Sequence, residues 1–413
     1  MRLTANTLLL VLGIILGTSA LPGQANQPSE KQLEKWLKRF PEADANGDGV
    51  LTAEEAKAYR GEARANPKAM RSSREMNFHP GWDTGEFPDS AVYKKSPEEI
   101  LSIYKNGPKA RGAQSTSDAL SFQKPTDGGM RIVGVGHSFM APAYRTLPLI
   151  TRAAGFEQPL CLHTSGGATG SARYKWEQEN GIHQFDGKPV PKLLAAISNY
   201  EWEAWLSGPY HGDRPEFYTC WIDFCLKYNP DMKFYISDAW PQLYQLGVIY
   251  GLKDNPDSDD FFTNEVLDKM NNEIRQRYFS LIGSALRERS RNVFIIPTSD
   301  AITEAAKMFN KGKLPGVEGI HKVVGGKDRS IWRDVTGHLG PGFDRLEGYV
   351  FYATLYGKSP ELITEPVEFA DGPGYPGKEL DKVFRKIAWK AVTGHPLSGV
   401  KDENNNLIGD HLE

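Results

Sequence analysis

The chain has 413 residues, 24% of them charged and 39% hydrophobic, which is enough for one large globular domain plus a small one and unlike the composition of a disordered chain. Its 49 Lys and Arg against 52 Asp and Glu leave a formal net charge of −3, so the basic footprint of a nucleic-acid-binding protein is missing and nothing draws the chain to anionic membranes. Cys161, Cys220 and Cys225 do not make a disulfide scaffold; Cys220 and Cys225 are able to pair in an oxidising compartment, but free buried thiols are the default expectation.

Residues 1–25 read as a secretory signal: Met1-Arg2, an apolar stretch from Leu8 to Leu16, then Thr18-Ser19-Ala20, with cleavage after Ala20 or Ala25. A spanning helix needs ~20 continuous apolar residues, and Gly13, Gly17, Pro22 and Gly23 interrupt this one. No Cys follows it to carry a lipid anchor. The expectation is an exported protein, periplasmic or extracellular, with no stable membrane insertion.

From Ser29 to Arg39, Leu33, Trp36 and Leu37 recur at helical spacing. The run enters an acidic loop, Asp44 to Glu55, and a second helix follows from Ala53 to about Arg64. Residues 66–129 are polar and rich in Pro, Gly, Ser and Lys, a linker that partly packs, with one helical candidate at Pro97–Tyr104 capped by Ser96. Pro125-Thr126-Asp127-Gly128-Gly129 is turn chemistry, and the apolar run from Met130 to Gly136 opens a second domain.

There strands and helices alternate. Helices are expected at Ala141–Ala154, Lys192–Ile197, Glu216–Tyr228, Asn264–Glu288 and Arg345–Leu355, and strands at Gln158–His163, Glu203–Leu206, Met232–Ser237 and Asn292–Pro297. Such alternation predicts an α/β fold, a three-layer parallel sheet flanked by helices, over residues 130–365, with ligands at the carboxyl ends of the strands. Residues 366–413 are a C-terminal extension. No internal repeat at a fixed period is evident.

The loop from Asp44 to Glu55 sets oxygen side chains at positions one, three, five, nine and twelve, with Gly49 at position six. Ca2+ takes 6 to 8 oxygen ligands, and Asp44, Asn46, Asp48, the Val50 carbonyl, Thr52 and a bidentate Glu55 would supply them. A solvated Asx-rich turn is the bland alternative, and it does not account for a match at every ligand position. The stretch resembles an EF-hand over about thirty residues. As a solitary copy it implies structural stabilisation by calcium, not signalling.

In Gly134-Val135-Gly136-His137-Ser138-Phe139 a strand ends and delivers Ser138 to the turn that opens a helix, where backbone N–H groups and the helix dipole would meet an oxyanion. Ser138 alone reads equally well as a helix cap. A serine nucleophile needs a base oriented by an acid, and the best base is His338 in Trp332-Arg333-Asp334-Val335-Thr336-Gly337-His338, with Asp334 as the orienter.

With these blocks the chain resembles the SGNH (GDSL-like) hydrolase superfamily from about Arg131 to Pro360, which implies an SGNH/flavodoxin-like sheet. That family carries its serine in Gly-Asp-Ser or Gly-Asn-Ser after the first strand and ends on Asp-x-x-His. Here His137 replaces the Asp or Asn, and Asp334 precedes His338 by four residues, not three. The resemblance implies an oxyanion glycine after the second strand, for which Gly166 or Gly167 stands in Thr164-Ser165-Gly166-Gly167-Ala168-Thr169-Gly170; a flexible glycine loop is the alternative. The family's oxyanion asparagine has no clean counterpart, and Ser207 or a backbone amide in Leu206-Ser207-Gly208-Pro209-Tyr210-His211 stands in its place.

A zinc site from His137, His163, His211 and His338 lacks any short ligand spacing. His79 and His321 have no partner in sequence. Trp202, Trp205, Tyr210, Trp221 and Trp240 would stack on a sugar ring or pack in the core, and core packing is the simpler expectation. The resemblance implies ester hydrolysis through an acyl-enzyme, with a small-molecule ester or acetylated carbohydrate as substrate. A non-catalytic, calcium-dependent carbohydrate-binding or attachment protein on the same scaffold is the alternative from a different class. A calcium-dependent lipase is a third, for which no apolar lid is evident.

Overall fold

The protein is described by a computed structural model over residues 29–39, 43–65, 95–107, 127–164, 174, 177, 191–208, 216–246, 256–277, 283–369 and 375–413. The expected signal segment, most of the linker, and Gly166, Gly167, His79 and His211 lie outside these. Two compact units divide the chain, Met1–Glu75 and Met76–Glu413.

In the first unit, helix α1 (Glu30–Arg39) and helix α2 (Ala53–Ala65) flank the acidic loop. Ala43, Leu51 and Ala56 are buried, with Leu33, Trp36, Leu37 and Tyr59 packed against them. The apolar stripe read on α1 is therefore the face that covers this small core.

The second unit begins with helix α3 (Pro97–Asn106), which Ser96 opens with a full capping box: its Oγ accepts from the Glu99 N–H while Glu99 reaches back to the Ser96 N–H. A parallel sheet follows. Strand β1 (Ile132–Gly136) lies between β2 (Leu160–Thr164) and β3 (Ala204–Ser207), and β4 (Lys233–Ser237) and β5 (Val293–Ile296) extend the sheet beyond β3. The order β2-β1-β3-β4-β5 is all parallel. Strands buried on both faces read as continuous apolar runs, which is why Ile132, Val133 and Val135, or Ala204, Trp205 and Leu206, show no polar alternation.

Helices flank the sheet in two separately packed groups, compatible with the expected three layers. One group is α3 with α5 (Lys192–Asn199), α6 (Glu216–Tyr228) and α8 (Ser284–Arg289). The other is α4 (Ala141–Ala153), α7 (Asn264–Arg277), α9 (Thr298–Asn310), α11 (Phe343–Tyr356) and α12 (Gly377–Gly394). Asn199 Nδ2 donates to Pro97 O at 2.9 Å, so α3 belongs to the packed body and is no free linker.

Several expectations are refined. The single helix over Asn264–Glu288 is described as two pieces, α7 and α8, with 278–282 outside the described residues. Helix α9 was not foreseen, nor was α12, which follows the helix taken as the last large one. Its stripe of Leu380, Phe384, Ile387, Ala388, Ala391 and Val392 is buried and packs on α11, so the extension beyond residue 365 contributes to the core. Cys161, Cys220 and Cys225 are free and buried, and burial raises all three thiols, that of Cys161 to about 12. Among the described residues no helix is long and apolar enough to cross a membrane.

The chain runs from β1 to β2 on one side and then returns to β3 on the other. Such a reversal, here at the carboxyl ends of β1 and β3, is the place where α/β sheets bind ligands. Beyond the sheet, β6 (Gly319–His321) and β7 (Ser330–Trp332) form a two-stranded parallel pair. Trp332 bridges Leu339 in antiparallel fashion and Arg333 N donates to His338 O at 2.8 Å, closing the base of the loop that carries Asp334 and His338.

Candidate functional site

The turn from β1 into α4 is shaped by small residues. A side chain at Gly136 would meet Tyr144 Cε2 at 2.6 Å, and Tyr144 uses that space to donate its hydroxyl to Val135 O at 2.9 Å. The Met140 and Ala141 N–H groups donate to His137 O at 3.1 and 3.2 Å, and the Phe139 N–H to His137 Nδ1 at 3.3 Å. His137, Phe139 and Met140 are buried by this winding, whereas Ser138 at its apex is exposed. A buried turn with one exposed hydroxyl is how a fold presents a nucleophile.

His338 arrives from a segment 200 residues away in sequence and places Nε2 2.8 Å from Ser138 Oγ. Its Nδ1 lies 2.7 Å from Asp334 Oδ2. The other Asp334 oxygen, Oδ1, accepts from the N–H groups of Thr336, Gly337 and His338 at 3.1, 3.0 and 3.1 Å. The longer Asp-x-x-x-His spacing is thus accommodated by a turn wound around the carboxylate, with Gly337 at φ +100°. Burial pushes the Asp334 carboxyl up, but the His338 N–H, its imidazole and the Gly337 N–H outweigh burial and hold it below the usual carboxylate range. An ionised Asp334 favours a proton on His338 Nδ1, which leaves Nε2 facing the Ser138 hydroxyl as an acceptor.

Ser207, the last residue of β3, is fully buried, and its Oγ has no hydrogen-bond partner among the described residues. It is joined to neither Ser138 nor His338. Gly208, next in the chain, lies against the serine turn: a Cβ there would stand 2.2 Å from Met140 Sδ and 3.3 Å from His137 Nε2. The exit of β3 and the turn after β1 therefore lie against each other. On the far side of the turn, Glu347 of α11 accepts from the Ala143 N–H at 3.2 Å, and burial holds its carboxyl well above the usual range.

Of the histidines weighed as a metal set, His211 and the side chain of His163 lie outside the described residues. His321 is buried and caps helix α10 (Lys322–Gly325) by accepting at Nδ1 from the Val323 N–H at 3.1 Å, and His338 is occupied with Ser138 and Asp334. Of the aromatics, Trp202, Trp205, Trp221 and Trp240 are buried in the core. Sequence reasoning missed what Trp240 does there: it stacks on Phe139 with centroids 4.9 Å apart and donates its indole N–H to Gly337 O at 2.6 Å.

In the first unit the acidic loop is wound around its own side chains. Asp44 accepts from the Gly47 and Gly49 N–H groups at 2.9 and 2.8 Å, Asn46 Oδ1 from the Asp48 N–H at 2.9 Å, and Asp48 Oδ1 from the Val50 N–H at 2.8 Å. Gly47 and Gly49 adopt φ +72° and +83°. The Thr52 hydroxyl and N–H donate to Glu55 Oε2 at 2.7 and 3.0 Å. These bonds, with the Asn46 and Ala45 N–H groups nearby, hold the Glu55 carboxyl below its usual range. Among the described residues no three His, Cys, Asp or Glu side chains converge as they would around a metal. Calcium, however, takes amide and carbonyl oxygens as well, and the inward-turned Asp44, Asn46 and Asp48 with Glu55 folded back toward residues 45 and 46 fit that donor set. Ligation requires Glu55 to exchange its Thr52 bonds for the ion.

The oxygen spacing of this loop is not solitary, contrary to the expectation from sequence: it recurs at Asp402, Asn404, Asn406, Asp410 and Glu413. There too the first side chain accepts from the residue at position six, Leu407 N to Asp402 Oδ2 at 3.1 Å, and the third from position five, Asn406 N to Asn404 Oδ1 at 3.0 Å. Asn405 and Leu407, at φ 59° and 70°, stand where the first loop has glycines.

Comparison with protein-family models, with curated proteins and with solved structures finds no match to this chain.

Proposed function

We propose that the protein is an exported serine ester hydrolase of SGNH (GDSL-like) type, preceded by an EF-hand that binds calcium. The observation that carries the reading is the continuous line from Ser138 Oγ through His338 to Asp334, at 2.8 and 2.7 Å, standing at the sheet's reversal. Nothing in core packing requires an exposed serine to meet a histidine so far along the chain.

In this reading Ser138 Oγ attacks the ester carbonyl carbon while its proton passes to His338 Nε2. The tetrahedral oxyanion is met by the Ser138 N–H and by a donor from Gly166 or Gly167. Collapse breaks the bond to the alcohol, which leaves with the proton from His338, and the acyl group stays on Ser138 as an ester. Water then attacks the acyl carbon, giving a proton to His338 Nε2, and collapse breaks the bond to Ser138 Oγ, which takes that proton back as the acid is released. Acetylated carbohydrate is the substrate class proposed, from the export signal and the family resemblance. Calcium would be held by Asp44, Asn46, Asp48, the Val50 carbonyl, Thr52 and Glu55, and would supply rigidity to the small unit.

The test is hydrolysis of a short-chain aryl acetate by the protein and by Ser138→Ala, each with calcium and with chelator. Turnover by the protein and background by the variant are expected. Equal rates in both would remove the esterase reading and favour a calcium-dependent binding protein. A chelator that lowers the unfolding midpoint of the small unit and spares the rate would mark calcium as structural.

A further inference from the structure

We propose that Trp240 is a positioning residue for His338, holding from outside the site the peptide group on which the imidazole is carried. The inference rests on the esterase reading and adds to it a residue that touches neither Ser138 nor substrate.

The peptide unit between Gly337 and His338 is gripped at both ends. Its N–H, from His338, donates to Asp334 Oδ1 at 3.1 Å, and its carbonyl, Gly337 O, accepts from Trp240 Nε1 at 2.6 Å. A trans peptide points these two groups in opposite directions, so the two bonds together fix the plane and with it the root of the His338 side chain. The Asp334 bond alone leaves that plane free to rock about the carboxylate.

Neighbouring contacts repeat the same restraint. Leu243 N donates to Thr336 O at 3.3 Å and Tyr244 N to Val335 O at 3.0 Å, so residues 240–244 satisfy the outward carbonyls of the turn one after another. Gly337 is seated so closely that a Cβ would lie 3.1 Å from Leu243 Cγ and 3.2 Å from Trp240 Nε1. The indole face stacks on Phe139 at an interplanar angle of 11°, and Phe139 meets the His338 ring edge-on with centroids 5.2 Å apart. Trp240 therefore touches both the loop that carries the base and the residue next to the nucleophile. A misplacement of the base by about 1 Å is enough to cost roughly 100-fold in rate.

The experiment compares the full-length protein with Trp240→Phe and with a variant carrying 3-benzothienylalanine at position 240, an isostere of tryptophan without the N–H. The readouts are kcat and KM on an aryl acetate, the pH–rate profile, and the titration of the His338 imidazole by NMR. Both variants are expected to lose about 100-fold in kcat with KM nearly unchanged, and to displace the His338 titration and the acid limb of the profile together. If Trp240→Phe does not fold, the isostere decides. Folded variants with the protein's own kcat and His338 titration would overturn the proposal. Should the unsubstituted protein lack esterase activity, the esterase reading fails on that result, and the His338 titration, which needs no substrate, still decides whether Trp240 positions the imidazole.

Discussion

Asp334→Asn is expected to lower kcat on an aryl acetate by about 10³- to 10⁴-fold with little change in KM. The amide oxygen replaces Oδ1 and goes on accepting from the Thr336, Gly337 and His338 N–H groups, so the turn keeps its shape. The amide NH2 then faces His338 Nδ1, where the carboxylate oxygen stood at 2.7 Å. As a donor it selects the tautomer with the proton on Nε2, and His338 can no longer accept from Ser138. The pH dependence follows from the same carboxyl. Its folded pKa lies below the unfolded value, so its contribution to stability is complete above the unfolded value and is lost as the pH falls through the folded one. Acid unfolding of Asp334→Asn should lack that component below about pH 4. Parallel kinetics and thermal midpoints against pH check both parts; an asparagine variant with unchanged kcat would show that His338 is not oriented by Asp334.

Gly134→Ala is expected to destabilise the second unit by about 3 kcal/mol or more, a large effect for one methyl group. The added Cβ would stand 2.1 Å from Leu206 O and 2.9 Å from Leu206 C and N. These are backbone atoms of the adjacent strand, and no rotamer can relieve the clash. Relief requires β1 and β3 to part at the point where they pair, Gly134 opposite Leu206, which also displaces the turn that presents Ser138. Urea unfolding should show a lower midpoint, and esterase turnover should fall with it. A midpoint equal to that of the unsubstituted protein would mean that the two strands are not packed as closely as described.

Much of this was legible in the sequence, for local reasons. Short apolar runs bounded by turn residues gave β1 to β5 to within a few residues, because a strand buried on both faces leaves no other pattern. Ser138 was found from its place between a strand and a helix, and the acidic loop from the spacing of its oxygens. The clamp at Trp240 was not legible: its partner Gly337 is 97 residues away, and an isolated tryptophan reads as core. Helix α12 carries its own signal in the spacing of Leu380, Phe384, Ile387 and Val392, within the stretch expected as a C-terminal extension. Ser207 followed from the block order of the resembled family and not from its own chemistry, and its buried hydroxyl has no hydrogen-bond partner among the described residues.

The central claim is that Ser138 is a nucleophile, and the most direct measurement is mass spectrometry of the protein quenched in acid during turnover of an aryl acetate. One acetyl group is expected on the peptide containing Ser138, accumulating in the His338→Ala protein only slowly and in Ser138→Ala not at all. Turnover without any acyl adduct at Ser138, or an adduct that persists at the same rate in Ser138→Ala, would contradict it.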